Sequence, residues 1–161
     1  MTSTTDHASN KPRAEDVASP DAIIKAAYEA LSGPAGKRNW QRLRSLYLPG
    51  ARLIPIGNRV HAEGRTDVMS VAEWIEDISA YFEEHAFYIE EIQRHADHFG
   101  DMIQAFSTYE ASTEPDGGQK TRGIRAMQLL HREDRWWIVN MMWDNETRNN
   151  PIPGEFTPYL W

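Results

Sequence analysis

The stretch that decides the fold is Gly123-Ile-Arg-Ala-Met-Gln-Leu-Leu-His-Arg-Glu-Asp-Arg-Trp-Trp-Ile-Val-Asn-Met-Met-Trp-Asp-Asn-Glu146. Two β-rich runs flank the polar pair Glu133-Asp134, which reads as a tight hairpin turn. Counting back from that turn pairs Leu129 with Ile138, Met127 with Asn140, Arg125 with Met142 and Gly123 with Asp144. Paired residues share a face of a sheet, so Arg125, Asn140 and Asp144 fall together, with Met127, His131 and Trp136. The opposite face carries Ile124, Ala126, Leu130, Trp137, Val139, Met141 and Trp143. Both faces are substantially apolar, whereas a sheet with one wet face alternates more cleanly. The face with Arg125, Asn140 and Asp144 is therefore predicted to close over a ligand pocket. The face with Trp137, Met141 and Trp143 is predicted to form a homodimer interface, because monomers rarely expose so much contiguous apolar surface.

Working outward, the two-residue period reaches back to Phe87 and predicts strands at 87–98, 101–112, 122–131 and 135–144. Phe99-Gly100, a loop over 114–118 and Glu133-Asp134 connect them, and such short links imply antiparallel neighbours. Ile103, Ala105, Ser107 and Tyr109 are predicted to share the inner face with Glu90, Ile92, Arg94 and Ala96. Ahead of the strands the period is helical. Ser19 suits an N-cap and Pro20 a first helical position, before Ile23, Ile24, Ala27, Tyr28 and Leu31 at helical spacing. Further helices are predicted over 37–48 and 70–84, with a short strand over 51–56 and a loop over 57–66 holding a minor strand near Val60. Three helices before a strand meander give an α+β class: a curved antiparallel sheet with helices on one face.

At 161 residues the chain suits one domain with a real core. That domain is placed at 20–161, with 145–161 as an extended tail. Residues 1–19 carry few large apolar groups and are expected to form a disordered arm. The net charge of −7 is spread along the chain, which argues against a nucleic-acid partner. The absence of cysteine removes disulfides, thiolate catalysis and cysteine zinc sites together. No apolar run approaches a membrane span or a secretory h-region. A soluble, cytoplasmic protein without a membrane partner is expected.

The order of these elements resembles the NTF2-like superfamily, the cone-shaped α+β fold of nuclear transport factor 2, ketosteroid isomerase, scytalone dehydratase and the SnoaL-like cyclases. Phe99-Gly-Asp-Met-Ile-Gln-Ala-Phe-Ser-Thr-Tyr-Glu110 is similar to a strand of many bacterial members. Arg135-Trp-Trp-Ile-Val139, Trp143-Asp-Asn-Glu146 and Asn150-Pro-Ile-Pro153 resemble a bacterial subgroup. The resemblance spans about 20–160. It implies the cone and a pocket for a small hydrophobic or polyketide-like molecule. It also implies an oxyanion donor near Tyr28, where the isomerase has its first-helix tyrosine. The isomerase's catalytic aspartate falls in Leu53-Ile-Pro-Ile56, which holds no carboxylate. The dehydratases' histidine pair has no counterpart, since His95 and His98 lie on opposite strand faces.

Asp144 is the candidate general base, provided desolvation raises its pKa. Asn140 and Arg125 beside it could orient a polar ligand; an Asp144–Arg125 ion pair bracing the sheet is the alternative. Tyr109 is the second candidate catalytic residue, as a donor to a developing oxyanion, with Ser107 next to it. Tyr28, Tyr47, Glu90, Arg94, Met127 and Trp136 complete the expected ligand-binding set. No metal or cofactor site is predicted. The function expected is a small-molecule pocket protein, with cofactor-free isomerase, dehydratase or cyclase chemistry, or else a non-catalytic binding or interaction module.

Overall fold

The computed structural model describes residues 11–56 and 68–159. The minor strand expected near Val60 lies outside the described residues, as do residues 1–10. The elements run α1 (Pro20–Glu29), α2 (Trp40–Ser45), β1 (Tyr47–Pro55), β2 (Met69–Ser70), α3 (Val71–Glu84), β3 (Tyr88–Phe99), β4 (Met102–Ser112), β5 (Thr121–Arg132) and β6 (Arg135–Asn145). The strands form one sheet in the order β2-β1-β6-β5-β4-β3. It is mixed, because β1 lies parallel to β6 while the other pairs are antiparallel. The expected sheet was wholly antiparallel.

The helix starts follow from side-chain caps. Ser19 accepts a hydrogen bond from the Ala22 N–H at 3.0 Å, and Pro20 occupies the first turn. Ser70 and Glu73 form a reciprocal capping box that opens α3. The second helix is shorter than the predicted 37–48. Pro49 disfavours helical geometry at Leu48, and the chain becomes strand from Tyr47. The packed chain also begins before residue 20. Ala14–Asp16 forms a 3-10 turn, Val17 is buried, and Asp16 pairs with Arg42 at 2.8 Å.

The hairpin turn at Glu133-Asp134 has φ values of 56° and 58°, the two left-handed residues of a tight two-residue loop. Leu129 pairs with Ile138 as predicted. Beyond that pair the register shifts, and Gln128 faces Asn140, leaving Val139 as an extra residue. This β-bulge inverts the rest of β6 relative to the simple alternation. Met141 and Trp143 consequently point into the core, 1% and 8% exposed, and cannot form a dimer surface. Asn140 and Asp144 pair with Gln128 and Ile124 on the outer face, not in the pocket. A second bulge in β3, between Glu91 and Gln93, has the same consequence. It turns Glu91 inward opposite Tyr109 and leaves Glu90 outside opposite Glu110.

All three helices lie on the inner face, where Ile23, Ile24, Leu43, Leu46, Leu53, Ile138 and Met141 are almost fully buried. The C-terminal segment returns across the outer face of β3 and β4. Its Phe156 ring sits 5.2 Å from Phe106, and its carbonyl accepts from the Thr108 hydroxyl at 2.5 Å.

Candidate functional site

The apolar stripe of α3 decides where space is left inside the cone. Trp74, Ile78 and Phe82 recur at helical spacing and face the open ends of β4 and β5. The Trp74 ring meets Trp143 edge-on at 6.0 Å, and Phe82 meets Phe87 at 5.2 Å. Between these rings and the strands lies a cavity of about 440 Å³, within the usual range for small-molecule sites. Trp74, Ile78, Phe82, Phe87 and Trp143 form its walls, and Thr113, Gln119 and Thr121 lie towards the strand ends. Tyr109 and Arg125 supply polar groups deeper in the cone.

Arg125 is only 5% exposed. Its guanidinium carbon lies 4.7 Å from the Tyr28 ring centre, 5.6 Å from that of Trp143 and 5.7 Å from that of Tyr109. Its Nε is buried with no hydrogen-bond partner, and no ion pair to Arg125 exists among the described residues. The expected Asp144–Arg125 bridge does not form, because the β6 bulge turns Asp144 outward, where its carboxylate accepts from the Asn145 N–H at 2.9 Å.

Carboxylate and hydroxyl groups next to Arg125 are committed elsewhere. Glu91 takes a two-pronged contact from Arg94, at 3.0 and 2.7 Å, and Arg94 also reaches Asp21. The Ser107 hydroxyl donates to Glu91 at 2.5 Å. A hydroxyl has one proton to give, so in the 2.7 Å contact between Tyr28 and Ser107 the phenol is the donor. Burial pushes the Tyr28 phenol up to about 12, against opposing effects of Arg125 and Ser107. Burial likewise raises the Tyr109 phenol well above its usual range. Its hydroxyl donates to the Asn145 side chain and lies 3.3 Å from the Asp144 carbonyl. Both phenols therefore act as hydrogen-bond donors near neutral pH.

Among the expected residues, Tyr28, Arg94, Ser107, Tyr109 and Arg125 gather on the inner face. Tyr47 is a core residue whose hydroxyl points at the Met141 sulfur, 3.8 Å away, with burial pushing it up to about 12. Met127 is sealed in the core at 1% exposure. Trp136 packs at the other end of the sheet, against His131 at 5.1 Å and His98 at 5.8 Å. Glu90, Asn140 and Asp144 are on the outer face. Sequence reasoning missed Glu91, Asn145, Trp74, Ile78, Phe82 and Trp143. Among the described residues no cluster of three or more histidine, aspartate or glutamate side chains could hold a metal ion. No described helix is long and apolar enough to cross a membrane.

No protein-family profile matches the chain, and no curated protein matches it in sequence. Solved structures do match it. A protein with a cystatin-like fold from Caulobacter vibrioides superposes with a TM-score of 0.59 at 15% identity, covering 80% of this chain and 88% of the other. An NTF2-like protein of unknown function from Shewanella baltica gives 0.53 at 11% identity, over 91% and 98%. The hexachlorocyclohexane dehydrochlorinase LinA-type3 from Novosphingobium barchaimii gives 0.57 at 14% identity, over 79% and 86%. The class is therefore that of an α+β cone with a curved, unclosed sheet. Within it, the chain has the NTF2-like fold.

Proposed function

We propose that the protein binds a small, largely apolar molecule in the cavity beneath α3. One observation carries this reading: aromatic walls line a cleft of about 440 Å³ that the described side chains leave unfilled. A concave, largely apolar space of this size with a few polar groups is the usual form of a small-molecule site. Cofactor-free isomerase, dehydratase or cyclase chemistry is the second reading, prompted by the dehydrochlorinase among the similar structures. Its candidate donor, Tyr109, would have to release Asn145 to serve a ligand. The described lining contains no carboxylate or imidazole to remove a proton, which favours binding over turnover. The experiment is a titration with neutral N-phenyl-1-naphthylamine, read by energy transfer from Trp74 and Trp143. Ile78→Trp, which fills the space, should weaken binding roughly tenfold or more. Equal binding by the filled variant sinks the proposal.

A homodimer through the outer sheet face belongs to the same proposal, keeping Trp137 but not Met141 and Trp143. Met102, Leu130 and Trp137 form one cross-strand row, and Phe106, Ala126 and Met142 another. Met102 is 58% exposed and Met142 38%. Sedimentation equilibrium should give a dimer that Met102→Glu with Met142→Glu converts to a monomer. A wild-type monomer at micromolar concentration would rule the interface out.

A further inference from the structure

We infer that the occupant of the cavity is an organic monoanion, a carboxylate on a flat or alicyclic apolar body, with its charged oxygens seated on Arg125. This rests on the cavity being a binding site, as proposed above. Guanidinium groups keep their charge in almost any surroundings. A buried charge is normally paired, since leaving water without compensation is expensive. Arg125 is buried and lines the cavity, yet among the described residues its guanidinium lies over three ring faces and its Nε has no partner. The nearby inner-face carboxylate, Glu91, is already engaged by Arg94 and Ser107. Among the described residues, no carboxylate pairs with this positive charge at the inner end of an apolar chamber.

The rest of the chamber narrows the chemistry. A phosphate or sulfate monoester head would bring a strongly hydrated group and ask for several donors. Here a single guanidinium stands among aromatic walls, and the Tyr109 hydroxyl is turned to Asn145. One charge matches one charge, and a guanidinium fork matches the plane of a carboxylate. Trp74, Phe82 and Trp143 offer faces and edges to an apolar body. Hydrophobic burial and charge pairing then act on opposite ends of the same molecule.

The test uses matched pairs differing only in charge: benzoate, 2-naphthoate and 1-adamantanecarboxylate, each against its primary amide, by calorimetric titration of the full chain. At least one acid should bind roughly 10- to 100-fold more tightly than its amide, the scale of a charged hydrogen bond. Arg125→Met should abolish that ratio while still binding the amide. The Arg125 Nε–Hε resonance of the wild-type protein should move with the acid and not with the amide, a reading that needs no variant. Acid and amide binding equally would overturn the anion assignment and leave the cavity reading standing. An acid preference that survives Arg125→Met would place the anion elsewhere and also overturn it. Binding of neither member of any pair would bring down both readings.

Discussion

Arg125→Met is expected to make the ligand-free protein more stable, not less. Core substitutions usually destabilise, so the sign is informative. The guanidinium is 5% exposed, with an unpartnered Nε and no ion pair among the described residues. Three ring faces, those of Tyr28, Trp143 and Tyr109, offset part of its desolvation, each by about 0.5–2 kcal/mol at most. Methionine fills much of the same volume, keeps the aromatic contacts through its thioether and carries no charge. Replacing buried ionic groups by packed apolar ones is neutral to stabilising by about 1–4 kcal/mol. A gain of about 1–3 kcal/mol is expected, seen as a rise of roughly 3–10 °C in a calorimetric melt. The gap should narrow in saturating 2-naphthoate if that acid binds, because ligand at about 100 times its wild-type Kd adds about 2.7 kcal/mol to the wild type and less to the variant. A variant that melts several degrees lower without ligand would instead make Arg125 a structural residue.

This expectation rests on a residue whose placement was legible in the sequence. The alternation points Arg125, Ser107 and Tyr109 inward, and all three are buried. Each lies on β4 or β5, whose mutual register runs without interruption from Met102–Leu130 to Ala111–Thr121. Asn140, Asp144 and Glu90 were misplaced for one shared reason. They sit beyond bulges, and a two-residue period carries no mark of an inserted residue. The mark lies in the spacing of inward residues, which runs two, three, two in both strands: Trp136, Ile138, Met141, Trp143 in β6 and Ile89, Glu91, Arg94, Ala96 in β3. In β6 that pattern competes with an equally apolar alternation of Trp137, Val139, Met141 and Trp143. The burial of Trp136 and Ile138, with Trp137 and Val139 only half-buried, separates the two. The cavity itself was not legible. The α3 stripe of Trp74, Ile78 and Phe82 marks a buried face, and periodicity gives no distance between that face and the sheet opposite. The parallel β1–β6 pairing was hidden in the same way, since it joins segments about ninety residues apart, such as Leu53 and Met141.

Gly123→Ala is expected to destabilise the protein strongly and to unsettle the cavity at the same time. Gly123 stands directly across β4 from Tyr109 and across β6 from Asn145. With no side chain there, the Tyr109 ring lies over the glycine and delivers its hydroxyl to Asn145. A Cβ at this position would come within 2.2 Å of the Tyr109 hydroxyl oxygen and 2.3 Å of the Asp144 carbonyl oxygen. Neither neighbour is the free end of a flexible chain: the tyrosine is 2% exposed and the carbonyl is backbone in a strand. Overpacking of this kind costs about 1–3 kcal/mol. A buried hydroxyl torn from its acceptor adds about 1–3 kcal/mol more, so a loss of about 2–6 kcal/mol is expected in denaturant unfolding. The cause can be separated from any general intolerance of alanine in a strand. Tyr109→Leu removes the ring that the new methyl meets and leaves the Asp144 carbonyl, so adding Gly123→Ala to it should cost less than the same change in the wild type. That coupling should exceed the additivity error of about 0.5 kcal/mol for independent sites. Strict additivity would mean that the glycine is needed for the backbone rather than for the ring. In the wild type Tyr109 and Arg125 line one cavity, so Gly123→Ala should also weaken binding of 2-naphthoate by any amount of protein that remains folded, whereas a glycine serving the backbone alone would leave that affinity unchanged.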